Sequence, residues 1–259
     1  MLNFLHSFIY FITLPLRRVS IDVVFYAPTH FNRGEKNENL LFEPLFKACR
    51  NNDISFIVFE EPSSSSNQLR NNKYIPFDFM YYLIVLFRKL FRNEKDIIVI
   101  ENKIGIFFSK TFFCNFKYKN YIVLSKSMIS VFSSINKDAK LFDLQHGIIH
   151  TNKSDYFTDN IISPHLTKNK VSLLLSGIGF KNLLLKNSDC DFIKNYASVI
   201  GVNKEKLIYH DFPNKNILVS LQFTEDHTQS QNNSLLEELL VFTGKHKDFT
   251  FYLRNHPRF

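Results

Sequence analysis

The amino-acid sequence predicts an α/β protein in two halves, each with a parallel sheet covered by helices on both faces. Short runs of β-branched and aromatic residues alternate with longer stretches of helical apolar spacing, which favours right-handed crossovers and parallel pairing. The predicted strands are mostly continuous apolar runs rather than alternating ones, as expected for strands buried on both faces. The pattern restarts after about residue 170, and 259 residues are enough for two domains.

The first half contains five predicted strands and four predicted helices. The strands cover 21–27, 54–59, 96–101, 121–124 and 140–145, and the helices cover 38–50, 77–91, 103–116 and 125 to about 136. The helix at 77–91 is strongly apolar and ends in Arg88, Lys89 and Arg92, cations that suit the negative end of a helix dipole. We predict an N-terminal domain over 21–150.

The second half repeats the pattern over a shorter length. Its predicted strands cover 171–176, 207–210, 216–222 and 249–253, and its predicted helices cover 180–186 and 234–246. Ser234 and Glu237 form a predicted capping box for the second of these helices. The polar segment 151–170 is predicted to be a linker, which leaves 171–259 as the C-terminal domain. Because the sequence stops just after a strand-end loop, we expect this domain to be incomplete.

The N-terminal segment 1–20 is apolar up to residue 16. It lacks the basic start and the cleavage site of a signal peptide, and with Pro15 inside it is too short to span a bilayer. Two interpretations stay open. The segment lies in a membrane interface with Arg17 and Arg18 facing lipid phosphates, or it packs as a first core helix.

The net positive charge favours anionic partners but does not identify which kind. The net charge is +8 and the pI is near 9.2, but the cations form no basic run, so ordinary solvated lysines explain them equally well. No zinc finger, RNP-like segment or basic helix is present, and we expect no nucleic-acid partner. The sequence also lacks GxGxxG, GxxxxGK[ST] and GxSxG, so we predict no dinucleotide cofactor, no P-loop and no nucleophile elbow.

Polar clusters follow four of the predicted strands. They are 29–30 and 143–150 in the first half, and 222–227 and 254–258 in the second. Ligands of open α/β sheets bind beyond the carboxyl ends of strands. We therefore predict that a cleft between the halves collects all four clusters.

The cluster DLQHGIIH (143–150) places His146 directly after a strand, with Gly147 allowing a sharp turn. An exposed histidine there is a candidate general base or phosphate donor, and a surface-turn histidine without a role is the alternative. In RNHPR (254–258), His256 lies between Arg254 and Arg258, which suits a phosphate and would repel a metal. The alternative is that 254–258 is only a basic segment that follows an edge strand and binds nothing. We predict no metal site.

These segments together resemble known enzymes. LQHGI (144–148), with His150 nearby, resembles the Q-H-G segment of bacterial GT-B-type glycosyltransferases that build capsule and lipopolysaccharide. ILVSLQFTED (217–226) is similar to the strand and acidic loop of their second domain. LRNHPR (253–258) resembles the H-P motif shared with bacterial sialyltransferase-like and glycerophosphotransferase-like enzymes. The resemblance implies two Rossmann-like domains facing a cleft, and such enzymes continue for another helix or more beyond the H-P loop.

The resemblance also implies roles for individual residues. His146 is the expected catalytic base or orienting group on the acceptor side. The other acceptor-side residues are His30, Gln145, Gly147 and His150. The expected residues for the donor phosphate and nucleotide are Gln222, Glu225, Asp226, His256 and Arg258.

The implied activity is metal-independent transfer of a sugar from a nucleotide-sugar donor to a growing cell-surface polysaccharide or lipid-linked acceptor. The nucleotide sugar is a substrate, so no cofactor is expected. The implied location is cytoplasmic, peripheral on the inner face of an anionic plasma membrane. The alternatives are a CDP-glycerol-type phosphotransferase or nucleotide-sugar epimerase on the same fold, or a non-catalytic truncated remnant.

Overall fold

The computed structural model describes residues 2–34, 36–62, 70–151, 153–159, 161–187, 190–201, 215–220 and 228–254. The chain divides into two compact units, Met1–Asn203 and Lys204–Phe259. Both units combine helices with parallel strands, as the sequence predicts.

The first unit is built on a seven-stranded parallel sheet. The unit contains nine described strands, seven of them in this sheet. In chain order they are β1 Val19–Ala27, β2 Phe56–Glu60, β3 Ile75–Pro76, β4 Phe116–Val123, β5 Lys140–Leu144, β6 Phe157–Thr158, β7 Ile161–Ile162, β8 Ser172–Leu175 and β9 Ala197–Val199. The sheet has the order β3-β2-β1-β4-β5-β8-β9, and β6 and β7 form a separate antiparallel pair. All neighbours in the large sheet are parallel, and the order reverses between β1 and β4. This arrangement is a Rossmann-like fold.

Eight helices of this unit are described. They are α1 Leu2–Thr13, α2 Glu43–Asn51, α3 Asp78–Leu90, α4 Ile97–Lys110, α5 Ile129–Ile135, α6 Pro164–Lys168, α7 Ile178–Asn187 and α8 Cys190–Tyr196. The helices predicted at 38–50, 77–91 and 180–186 are confirmed as α2, α3 and α7, with shifted ends. None of the described helices is both long and apolar enough to cross a membrane.

Side chains of β1 alternate between two hydrophobic clusters, one on each face of the sheet. Val24 and Tyr26 belong to the larger cluster, which includes residues of α1, α3, α4, α5 and α7. Val23 and Phe25 belong to the smaller cluster, where Phe46 of α2 packs. Both faces are therefore covered, as the apolar strands predict, but most of the described helices lie on one face.

The strand predicted at 96–101 is wrong, because these residues form the first half of α4. The Asp96 carboxylate accepts a hydrogen bond of 2.9 Å from the Ile98 N–H and caps the helix. Three isoleucines and a valine at 97–100 give this segment a strand-like composition, but helical burial against the core decides its structure. The predicted helix 103–116 is the second half of α4, which ends at Lys110. Residues buried along α4 are Ile98, Ile100, Glu101, Ile104, Gly105 and Phe108.

The predicted domain boundary also differs from the structure. Segment 151–170 is not a linker: it contains β6, β7 and α6, and its apolar side chains Tyr156, Phe157, Ile162 and Leu166 are buried in the larger cluster. The strand predicted at 171–176 is β8, which pairs with β5 in the first sheet. The first unit therefore extends past residue 150 to Asn203.

The second unit contains a βαβ element: β10 Asn216–Ser220, α9 Gln229–Lys245 and β11 Thr250–Arg254. The two strands pair in parallel, as the sequence predicts. The predicted capping box is wrong, because α9 begins one and a half turns earlier with Thr228 and Gln231 as the box. The strand predicted at 207–210 lies outside the described residues.

Candidate functional site

The carboxyl ends of β1, β4 and β5 meet beside the point where the strand order reverses. The turn Thr29–Phe31 follows β1, Ser125 follows β4, and His146 follows β5. In open α/β sheets this edge, at the switch point, is where ligands bind. The structure therefore brings the predicted His146 to the expected edge of the first sheet.

The imidazole of His146 is enclosed by side chains from three loops. Ser125 Oγ lies 3.0 Å from Nε2, and Asp155 Oδ2 lies 3.9 Å from the same nitrogen. The Phe31 ring packs on the imidazole with centroids 5.0 Å apart. Burial, with a smaller contribution from Lys153, lowers the pKa of His146 to about 4, and Asp155 opposes the shift. The imidazole is therefore neutral at pH 7 and has a lone pair available to accept a proton.

The loop that presents Ser125 has an unusual backbone. Ser125, Lys126 and Met128 have φ values of 59°, 48° and 57°, in the left-handed region that costs a non-glycine residue about 1–3 kcal/mol. The Lys126 N–H donates a 3.0 Å hydrogen bond to Asp143 Oδ1, and the Tyr121 hydroxyl donates to the Ser127 carbonyl at 2.9 Å. These bonds fix the strained turn, and strain of this kind is typical of functional sites.

Asp143 is a second titratable group beneath this loop. Its carboxyl is almost fully buried, and burial raises its pKa to about 7. The Lys126 N–H opposes that shift. So does the Tyr156 hydroxyl, which lies close to the carboxyl without reaching hydrogen-bond geometry. This edge of the sheet therefore holds two groups with shifted pKa values, Asp143 at about 7 and His146 at about 4.

Gln145 has a positioning role. Its Oε1 accepts hydrogen bonds from the Ser176 N–H at 2.9 Å and the Ser176 hydroxyl at 3.0 Å, and its Nε2 donates to the Gly147 carbonyl at 2.7 Å. The side chain is buried. It joins the loops after β5 and β8, so it fixes the backbone on both sides of His146.

The other predicted acceptor-side residues lie in the neighbouring loops. His30 packs on Phe31 with ring centroids 4.1 Å apart, and the same Phe31 ring packs on His146. His150 is exposed, and its carbonyl accepts the Lys153 N–H in a turn. Gly147 does not have a positive φ, and a Cβ there would meet Lys153 Nζ at an ordinary 3.7 Å. The backbone bends at Gly147, but neither its φ nor the space around it requires a glycine.

A cavity of about 270 Å³ opens at the carboxyl ends of β5, β8 and β9, with Gln145 in its wall. Its lining is aliphatic apart from the Gln145–Ser176 pair and contains no charged side chain. The aliphatic residues are Leu40, Leu41, Pro44, Leu45, Leu144, Leu174 and Ile200. An apolar pocket with a few convergent polar groups is a common form of small-molecule site.

The predicted donor-side residues Gln222, Glu225, Asp226, His256 and Arg258 lie outside the described residues. Their roles, and the cleft expected between the halves, stay predictions. Among the described residues, no group of three or more His, Cys, Asp or Glu side chains is arranged to hold a metal ion.

The sequence reasoning missed Phe31, Ser125, Lys153 and Asp155. Phe31 and Ser125 come after the strands predicted at 21–27 and 121–124. The rule that ligands bind beyond the carboxyl ends of strands, which pointed to His146, therefore also applies to them. Lys153 and Asp155 lie in the segment taken for a linker, where nothing local signals a contact with His146.

Neither a protein family, nor a curated protein, nor a solved structure matches this chain significantly. The fold and the geometry of the site are therefore the observations from which a function is inferred.

Proposed function

We propose that this protein is a glycosyltransferase that moves a sugar from a nucleotide-sugar donor to a cell-surface polysaccharide or lipid-linked acceptor. The observation that carries the proposal is the neutral imidazole of His146, held by Ser125 at the switch-point edge of a Rossmann-like sheet. Sugar transfer needs a group that accepts the proton of the acceptor hydroxyl, and a neutral imidazole can take it. With a pKa of about 4 the ring is a weak base, and the nearby Asp155 carboxylate favours its protonated form.

The neighbours of His146 support this chemistry. The Ser125 hydroxyl orients the ring, and Asp155, 3.9 Å from Nε2, favours the imidazolium that forms when the ring takes the proton. The Gln145 bonds to the flanking loops keep the imidazole in place. The aliphatic cavity beside Gln145 is suited to an apolar part of the acceptor.

The donor side of the proposal rests on the sequence resemblance. His256 and Arg258 are the proposed contacts of the donor phosphate, and their positive charge would stabilise the leaving group as its charge develops. Glu225, Asp226 and Gln222 are proposed to lie near the nucleotide. This route needs no metal ion and no cofactor. We place the reaction in the cytoplasm, at the inner face of the membrane that carries lipid-linked acceptors.

The test is turnover of UDP-, GDP- and CMP-linked sugars, and of CDP-glycerol, by the purified chain, with products separated by chromatography. In the absence of an acceptor, a transferase is expected to hydrolyse one donor slowly, with water as the acceptor. His146→Ala is expected to lower that rate about 10²- to 10⁴-fold, the usual contribution of a general base. His6→Ala, at an exposed histidine on α1, is the matched control and should leave the rate unchanged.

Three results would contradict the proposal. An isomeric nucleotide sugar as product would identify an epimerase. Turnover of CDP-glycerol in place of every nucleotide sugar would identify a phosphotransferase. Absence of turnover with every donor, from a folded chain, would favour the non-catalytic alternative.

A further inference from the structure

Helix α1 and the turn that follows it have apolar residues on two opposite sides. Ser7, Phe11 and Leu14 point into the core and are buried. A second stripe runs along the opposite side at spacings of three and four residues and is 45% to 84% exposed. It consists of Leu2, Leu5, Ile9, Ile12 and Leu16. Helices that are apolar on both sides are normally covered on both sides.

Further exposed apolar residues lie on α3, which packs against α1. The ring of Phe4 contacts Phe79 and Tyr82 with centroids 6.0 Å and 6.2 Å apart, and the Phe79 N–H donates a 3.0 Å hydrogen bond to Ser7 Oγ. Beside this contact, Tyr82, Leu86 and Leu90 follow at intervals of four residues and are 50% to 65% exposed. We call the eight residues 2, 5, 9, 12, 16, 82, 86 and 90 the outer apolar surface.

The two segments that carry the outer apolar surface contain cations and no carboxylate. Residues 2–21 and 79–92 contain no Asp or Glu. Arg17 and Arg18 follow the first stripe, and Lys89 lies between Leu86 and Leu90 in sequence; all three cations are exposed. A partner of this surface must therefore offer hydrocarbon and negative charge together.

An anionic lipid bilayer has both properties. Its acyl region takes apolar side chains, its phosphates attract Arg and Lys, and aromatic residues such as Phe4 and Tyr82 favour the boundary between them. A second copy of the chain would offer apolar residues but would bring the same cations. We propose that the outer apolar surface docks this protein on an anionic bilayer, with α1 lying in the plane of the interface.

This inference is independent of sugar transfer, because it rests on the surface alone. The test is co-sedimentation of the purified chain with phosphatidylcholine vesicles, with and without 30% phosphatidylglycerol. The wild type is expected to bind the anionic vesicles at least tenfold more strongly. Leu5→Asp with Ile9→Asp is expected to lower that binding at least tenfold. Leu235→Asp with Leu240→Asp, at comparably exposed leucines of α9, is the matched control and should bind like wild type.

Folding and charge are tested separately. Both double variants should keep the wild-type circular dichroism spectrum, because all four side chains are exposed. Arg17→Gln with Arg18→Gln should lose most of the preference for anionic vesicles while leaving the apolar residues intact. Retention of that preference would contradict the role assigned to the two cations.

A fluorescent reporter can locate the surface directly, because the chain contains no tryptophan. A tryptophan introduced by Leu5→Trp should shift its emission to the blue on anionic vesicles, and one introduced by Leu240→Trp should not. Failure of the wild type to sediment with anionic vesicles would overturn the proposal. So would a dimer in solution that Leu5→Asp with Ile9→Asp converts to monomer, because a second copy would then cover the surface. Neither result bears on nucleotide-sugar turnover, which is assayed without lipid.

Discussion

Replacement of His146 by glutamine is expected to change how the stability of the protein depends on pH. The pKa of His146 is about 4 in the folded protein and 6.5 in the unfolded chain, so between these values only the unfolded chain binds the proton. The contribution of the neutral imidazole to stability is therefore present above pH 6.5 and is lost as the pH falls toward 4. Between pH 7.5 and pH 5 the expected loss is about 2 kcal/mol, at roughly 1.4 kcal/mol per pH unit below 6.5.

Glutamine does not titrate, so His146→Gln should remove that loss. Its side-chain amide also retains a group that can pair with the Ser125 hydroxyl. The comparison with wild type is necessary because two buried acids act in the opposite direction. Burial raises the pKa values of Asp143 and Glu61 to about 7, so the stability that their protonation contributes at low pH is lost as the pH rises through 7.

Urea unfolding at pH 7.5 and pH 5 measures the effect. The free energy of unfolding should fall by about 2 kcal/mol more in the wild type than in His146→Gln over this interval. A direct check is the titration of the His146 ring by NMR, which should show a neutral imidazole down to about pH 4. A ring that titrates near 6.5, or an equal pH response in the two proteins, would refute the enclosed imidazole described above.

Two further predictions concern packing in the first unit. A Cβ at Gly105 would lie 2.3 Å from the Val131 carbonyl oxygen, so Gly105→Ala should lower the free energy of unfolding, measured with urea, by about 1–3 kcal/mol. The control is Gly244→Ala, where nothing lies within 4 Å of the added Cβ, and it should not lower the free energy of unfolding. The Tyr26 hydroxyl is buried without a hydrogen-bond partner among the described residues, so Tyr26→Phe should be neutral or stabilising by up to about 1 kcal/mol. Tyr118→Phe, which removes a 2.7 Å hydrogen bond to a backbone carbonyl of α5, should destabilise by about 1 kcal/mol, and equal effects at the two tyrosines would contradict this reasoning.

The α/β class and the sheet of the first unit were predictable because buried parallel strands have a strong local signal. The runs at 21–27 and 54–59 are mostly apolar and bounded by polar turns, and each forms a strand of the sheet, as does the more polar run at 140–145. The run at 96–101 has the same composition but is helical. Its Asp96 cap and its helical burial depend on the surrounding fold, which composition does not report.

The prediction of the domain boundary was wrong for a related reason. Polar residues and Pro164 made segment 151–170 resemble a linker, but a few buried side chains such as Tyr156 and Leu166 are enough to bind it to the core. Strand β8 has the same local pattern whichever sheet it joins. Its pairing with β5 is a non-local property that the sequence alone does not specify.

The candidate site was predictable in position but not in composition. His146 follows a recognisable strand, and the structure places it after that strand, beside the point where the strand order reverses. Its low pKa depends on enclosure by Phe31, Ser125 and Asp155, which come from three separate loops. Only the folded structure brings these loops together.

The most direct test of the proposed glycosyl transfer is nucleotide binding. Thermal unfolding of the purified chain should be measured with UDP, GDP, CDP and CMP, each at a concentration well above a typical Kd. One nucleotide is expected to raise the Tm by several degrees, and His256→Ala should abolish that shift while His6→Ala leaves it unchanged. Absence of a shift with all four nucleotides, or a shift that survives His256→Ala, would contradict the proposed donor site.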